Sequence, residues 1–440
     1  MGMETRLPSQ AAPMIGEQSS YAFAATLTAF MPAIASFAVV TAVGIAGGGF
    51  RPDTWRLSTI ALVALGAAAL LVREPVVLER REWVALAALA ALAGWTAVST
   101  AWSIQPPRSL LEAERICLYL AGFAVVLVAV DRSSLRQVVT GALAGMTVVS
   151  AVGLGEHYLA SYPRNPIEGT LLIQPLGYAN ALGIYAAMGI LLASGLALSL
   201  RERRARVAAA APIALLAPTL ALTSSRGAWA ALPVGAVAML YLGRRIRSRA
   251  ALLALLAAGI VAGIAIGSNR GQAVSAVGQN RPHYWHVALD EYQSRPVLGG
   301  GAGTFGDYFW RYHRPKQGFT LDAHSLYLES LGELGPVGLA LLLLVLGVPL
   351  AALRGRQSSL VAAVGGAYIA FLVHAAVDWD WKVPAVTLTG LFCGAAVLVA
   401  ARRGRSEAVP PRARVALLAA ALALAVFSSI RVVFGPNLGV

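Results

Sequence analysis

Stretches of about 17–25 apolar residues recur down almost the whole chain, and each is long enough to cross a hydrocarbon layer about 30 Å thick. Backbone groups find no water partners in such a layer, so each stretch must satisfy its own N–H and C=O groups as a helix. Thirteen segments qualify: 21–47, 57–73, 83–102, 115–131, 135–155, 176–199, 207–222, 225–243, 250–267, 334–353, 359–377, 383–400 and 414–433. They predict an all-α polytopic membrane protein with about 12–13 transmembrane helices. A chain that is 58% hydrophobic and only 13% charged has no polar coat for a water-soluble globule.

Orientation is read from Arg and Lys in the short connections, which stay cytoplasmic when basic. Alternate connections carry them: Arg73/Arg80/Arg81, Arg132/Arg136, Arg201/Arg203/Arg204/Arg206, Arg244/Arg245/Arg247/Arg249, Arg354/Arg356 and Arg402/Arg403/Arg405. The expected topology therefore puts the N-terminal segment 1–20 in the cytoplasm, helices 1–9 over 21–267, an external segment 268–333, helices 10–13 over 334–433 and a tail 434–440. The net charge of +14 serves orientation and contact with anionic lipid headgroups. No basic face with a solvent-exposed reading element is present, so nucleic acid is not an expected partner. The first apolar run is too long, and its flank too poor in basic residues, for a cleaved signal; a retained helix is expected. Cys117 and Cys393 fall inside apolar spans, where single thiols serve as packing.

The long break in hydrophobicity, 268–333, collects four of the six histidines (His283, His286, His313 and His324) and ten aromatic residues. Six Arg/Lys stand there against six Asp/Glu, so the segment is polar without being strongly charged. A helix is expected from about Asn280 to Tyr292, with Pro282 tolerated near its first turn. A glycine-rich turn, Ser294–Gly306, follows, built for close backbone approach. A last helix is expected from Asp322 as N-cap, which would place His324 in its first turn. The glycines do not precede a Lys-Ser/Thr pair or follow a buried strand, so a nucleotide-binding loop is not expected. The histidine spacings match no zinc site, and neither metal nor cofactor is expected.

Several residues here and nearby carry chemistry. Arg226, in Thr223-Ser224-Ser225-Arg226-Gly227, lies on the outer side against the positive-inside bias, where it either anchors the span or holds an anion through its planar fork. Arg281 opens the loop helix, where a cation faces the positive helix end and gains from an anionic partner. Histidine is the side chain whose ordinary range lies near neutral pH, so His324 could take a proton from a hydroxyl, with Glu329, Glu333 and Asp378 as candidate neighbours. Tyr284 and Trp285 follow Arg281 on its helix, and Trp310 and Arg311 belong to an aromatic run that either stacks on sugar faces or packs the loop. Arg164 sits in a smaller external loop, 156–175. All five are expected substrate contacts, as is Asp378.

These motifs resemble the O-antigen ligase/polymerase superfamily. The resemblance runs through Ser-Ser-Arg-Gly around Arg226, the Arg281 helix with Trp285 and Ala288, and Pro296 with Gly299-Gly300-Gly301-Ala302-Gly303-Thr304-Phe305. It ends in His324-Ser325, nine residues, then Gly335-x-x-Gly338, a spacing associated with the ligase branch; about 176–400 is covered in matching order. The resemblance implies a GT-C-like, metal-independent, inverting glycosyltransferase in the bacterial cytoplasmic membrane, its active site facing outward. Its donor would be an undecaprenyl-pyrophosphate-linked glycan, and its acceptor a hydroxyl of a lipid or glycan. Arg226 and Arg281 would hold the pyrophosphate, His324 would act as base, and Asp378 falls where some ligases have a needed acid. Arg51, Arg56 and Arg108 are candidates for the family's first-loop basic residue. A polymerase extending carrier-linked glycan is the alternative. A secondary transporter with an external lid is a further one, though mid-membrane charges and repeated halves are missing.

Overall fold

The computed structural model describes residues 31–159, 169–246, 248–268, 280–313, 320–355, 357–403 and 408–434. In chain order the helices are α1 (Met31–Ile45), α2 (Pro52–Val72), α3 (Arg80–Val98), α4 (Pro106–Ala129), α5 (Leu135–Leu159), α6 (Ala179–Ser199), α7 (Arg203–Ala210) and α8 (Ile213–Thr223). They continue as α9 (Arg226–Leu242), α10 (Arg249–Ser268), α11 (Arg281–Ser294), α12 (Phe305–Tyr308), α13 (Leu326–Ala352), α14 (Ser359–His374), α15 (Pro384–Ala401) and α16 (Pro411–Phe434). The protein is an all-α polytopic membrane protein: eight described helical stretches are long and apolar enough to span, and three shorter apolar helices (α1, α9 and α14) stand among them. Each of the thirteen apolar segments is occupied by helix within the described residues.

Local chemistry sets the ends. Proline occupies the first turn of α2, α4, α11 and α15, where its missing N–H would be unpaired anyway. Glu79 and Glu82 form a reciprocal capping box on α3. Ser225, Ser325 and Ser358 accept N–H bonds at the starts of α9, α13 and α14. The C-terminal carbonyls of α4 are satisfied by cations: Arg73 donates to Ala129 O, and Arg402 to Val130 O at 2.9 Å. Thus part of the basic set that signals orientation also closes helix ends.

The most buried spans are α6 and α15; α5, α9 and α14 pack on the first, and α4, α13 and α14 on the second. α1 lies against α5, where Gly141 and Gly145, one turn apart, leave no room for a Cβ beneath Ala33 O and Val40. Small residues four apart let two membrane helices approach closely, and Ser36 Oγ adds a bond to Val138 O at 2.9 Å.

One expectation about helix starts is corrected. α13 begins at Leu326 with Ser325 as N-cap, not at Asp322, so His324 precedes the helix instead of lying in its first turn. Asp322 is unavailable as a cap because Lys382 takes its carboxylate. The expected span 207–222 lies within one apolar helical stretch, Arg203–Thr223, whose α7 and α8 meet at Ala211 and Pro212.

Candidate functional site

The polar centre lies at the end of the bundle that carries α11 and α12, and the nine-residue link His374–Lys382 between α14 and α15 organises it. Three helices and the segment before α13 meet this link. His374 faces Gly227 at the start of α9, where an added Cβ would stand 2.8 Å from Nε2. Ala375 O accepts from Leu326 N at 2.8 Å, tying the start of α13 down. Asp378 Oδ2 accepts from Arg281 Nη2 of α11 at 2.6 Å. Lys382 pairs with Asp322 and with Glu329 Oε1, the latter at 2.6 Å. Arg226, Arg281 and His324, more than forty positions apart in sequence, are thereby gathered around one short segment.

Asp378 is saturated by protein donors. Its Oδ1 accepts from Tyr178 Oη and from the Trp379 N–H, both at 2.9 Å, and its Oδ2 from Asn180 Nδ2 at 2.7 Å and from Arg281. The Tyr178 and Trp379 rings stack at 4.5 Å beneath it. With its acceptor sites filled, the carboxylate's chemical role is to orient Arg281, whose side chain remains 25% exposed. Arg226 is exposed at the first position of α9 and makes no ion pair among the described residues. One cation is thus locked in place and the other open.

His324 adopts a left-handed backbone (φ 54°), uncommon for a residue with a side chain. Its Nδ1 lies 3.1 Å from the Asp322 carbonyl oxygen. A carbonyl only accepts, so Nδ1 is the donor in this contact, and Nε2 makes no hydrogen bond among the described residues. Tyr284 packs its ring 5.4 Å from the imidazole, and Trp285 Nε1 points at His324 O from 3.5 Å. The two residues after Arg281 on the loop helix that were expected to touch substrate therefore frame the histidine.

Acidic residues fasten the loop beneath. Glu329, fully buried, accepts from Ala323 N at 2.7 Å, holding the strand before His324. Burial works against charge on Lys382, but Asp322, Glu329 and Glu333 outweigh it and hold its ammonium above the usual lysine range. Glu333 accepts from Gly303 N at 2.8 Å and Phe305 N at 3.0 Å. The glycine-rich turn is thus docked on α13 and on α4, where Ser109 Oγ donates to Ala302 O at 2.6 Å. What its backbone approaches is protein. Burial, with the neighbouring Glu333 charge second, pushes Glu291 of α11 well above the usual carboxylate range.

The spacing from His324 to Gly338 has a physical basis. Residues 326–334 form about two and a half turns before the break. Gly335 then takes φ 65°, ψ −171°, a conformation reserved for glycine, and Trp95 Nε1 of α3 donates to the freed Leu334 O at 2.9 Å. At Gly338 a Cβ would collide with Leu334.

The remaining expected contacts scatter. Trp310 and Arg311 are exposed on the short turn after α12, while Phe305 and Phe309 just before them bury against Tyr284. Arg164 lies outside the described residues. Of the three candidate first-loop cations, Arg108 is held by Asp307 at 2.8 Å, Arg56 is buried on Glu114 at 2.7 Å, and Arg51 is exposed. His374, Asp380 and Lys382 escaped sequence reasoning. His374 Nδ1 sits 2.9 Å from Asp380 Oδ2, both side chains essentially inaccessible. The charge-dense run Asp378-Trp379-Asp380-Trp381-Lys382 between two apolar spans was the available signal.

These features define a multi-pass membrane protein with a histidine and two arginines assembled at one end of its helical bundle. Residues 211–343 match the model of the family described as O-antigen ligase. That stretch, which is similar to the O-antigen ligase family, includes Arg226, Arg281, the glycine turn and His324, and it stops short of the 374–382 link. No curated protein matches the chain.

Proposed function

We propose that the protein is a membrane glycosyltransferase of O-antigen ligase type, moving a glycan from an undecaprenyl-pyrophosphate carrier to an acceptor hydroxyl on the outer side of the bacterial cytoplasmic membrane. The observation that carries this reading is the convergence of an oriented Arg281, an open Arg226 and a His324 whose Nε2 is free to accept a proton. His324 Nε2 removes the proton from the acceptor hydroxyl as its oxygen attacks the sugar anomeric carbon in line with the departing pyrophosphate. Arg281 and Arg226 stabilise the charge that develops on that leaving group. Asp378 contributes through Arg281, fixing the direction of the guanidinium and resisting its rearrangement when the anion arrives. The positive-inside pattern of the basic connections supports the outward-facing placement.

The test is reconstitution of purified protein with undecaprenyl-pyrophosphate-linked glycan and candidate acceptors. Wild type releases undecaprenyl pyrophosphate, whereas His324→Ala and Arg281→Ala do not. Arg281→Lys keeps the charge but loses the fork, with turnover lowered roughly 10²-fold. Full turnover in either alanine variant overturns the site assignment, and a lipid- or glycan-linked product distinguishes ligase from polymerase.

A further inference from the structure

The start of α9 is wedged between two neighbours. On one flank stands α6, where a Cβ added at Gly183 would lie 2.8 Å from Ser225 Cβ and 2.9 Å from Thr223 Oγ1. On the other stands His374, so close to Gly227 that a Cβ added there would lie 2.8 Å from Nε2 and 3.1 Å from Cδ2. Between the two, Ser224 takes a left-handed backbone (φ 49°), and Ser225 Oγ accepts from Ala228 N at 3.2 Å to begin the helix. Arg226 therefore leaves from a turn gripped on both sides. His374 is itself held. Its Nδ1 stands 2.9 Å from Asp380 Oδ2, and Asp380 makes no other ion pair among the described residues. The two side chains are 0% and 1% exposed, so neither reaches a substrate. The link thus bears on each arginine: Asp378 binds Arg281 directly, and four residues before it His374 packs on Gly227 beside Arg226.

We infer that His374, backed by Asp380, is a positioning residue for Arg226, fixing the start of α9 so that both arginines are set against the same link. The inference rests on the reading of Arg226 and Arg281 as contacts of the donor pyrophosphate. Two guanidiniums that share one diphosphate must stand at a fixed separation, since a misplacement of about 1 Å can cost about 10²-fold in rate. Asp378 settles the place of Arg281. Arg226 has no carboxylate of its own among the described residues, so its place is set through its backbone, by what packs against the turn. A histidine suits that role because its ring is flat and rigid, and a carboxylate at Nδ1 keeps it from turning. An apolar ring in its place would strand the buried Asp380 charge.

The first test needs no substrate. Full-length protein carrying Cys117→Ala and Cys393→Ala is spin-labelled at Arg226→Cys and at the exposed His286→Cys of α11, and the distance between labels is read by double electron–electron resonance. One narrow distance is expected with the link intact. His374→Asn keeps an N–H donor for Asp380 but withdraws the ring from Gly227, and it broadens the distribution roughly twofold. Gly227→Ala, which leaves the histidine and its carboxylate in place, shifts the same distance from the other side of the contact. A distribution unchanged in both variants overturns the inference. Transfer by the protein with its arginines is the second readout. His374→Asn lowers kcat about tenfold, yet less than about twofold further in an Arg226→Lys background, where the fork it positions is already gone. Equal tenfold losses in both backgrounds mark a general loss of packing and overturn the inference. A distance that changes in the variants of a protein that transfers nothing supports the positioning and sinks the functional reading alone.

Discussion

Replacing Lys382 by methionine removes the cation that two buried carboxylates share while keeping most of the side chain's apolar length. Lys382 is 9% exposed, Asp322 13% and Glu329 0%, so water screens none of the three well. Removing one partner of a buried pair leaves an uncompensated charge, at a cost of about 3–5 kcal/mol. Glu329→Gln in the same background removes the deeper of the two carboxyls left without the ammonium. Its amide oxygen still accepts from Ala323 N, and only the less buried Asp322 remains, at about 1–3 kcal/mol. The double variant is therefore more stable than Lys382→Met alone by about 2 kcal/mol. The lysine's raised folded-state value means that its contribution is complete below the unfolded value of about 10.4 and fades only as pH climbs through the higher one, so neutral-pH measurements capture it in full. SDS-titrated unfolding in mixed micelles measures the three proteins, with glycan transfer as second readout, since Asp322 also positions His324 through its carbonyl. A loss under about 0.5 kcal/mol for Lys382→Met would refute the reasoning, as would a double variant less stable than the single.

Gly227→Ala pushes a methyl group into His374 Nε2 at 2.8 Å and is expected to cost about 1–3 kcal/mol, with a fall in transfer because Arg226 is the neighbouring residue. Unchanged thermal unfolding would sink that contact. Glu291→Gln addresses pH. Burial raises the carboxyl in the folded state, so its folded form is at no disadvantage below the unfolded value of about 4.3 and loses ground as pH rises above it. The glutamine variant should equal wild type near pH 4 and gain on it toward pH 7 by up to about 1.4 kcal/mol per unit, read from unfolding midpoints across pH. A constant difference at all pH values argues against the shift.

The helices were legible because lipid-length apolar runs are a one-dimensional signal, and Arg226, Arg281 and His324 stood out because each is set in a motif of neighbours. What sequence reasoning lost was pairing across distance. Asp322 has every local feature of an N-cap, and only Lys382, sixty positions on, removes it from that role. Arg281 looks like a free cation until Asp378 is brought beside it. The glycine turn invites a phosphate reading that fails for the same reason, since Glu333 claims its N–H groups from another helix. Apolar periodicity is local, whereas the partner of a buried charge is chosen by the fold.

The link His374–Lys382 has a consequence for the order of events in biogenesis. Chains emerge from the ribosome N-terminus first, at about 5–20 residues per second. Arg226, Arg281 and His324 are all made before the segment that draws them together. Until α14 has threaded and the link has formed, Arg281 lacks its carboxylate and the loop before α13 lacks its lysine clasp. A nascent or truncated protein, even one already carrying the whole matched stretch 211–343, lacks the carboxylate that orients Arg281 and the lysine that pairs with Asp322 and Glu329. On the proposed function, the site is complete only once one of the last turns to be synthesised has formed.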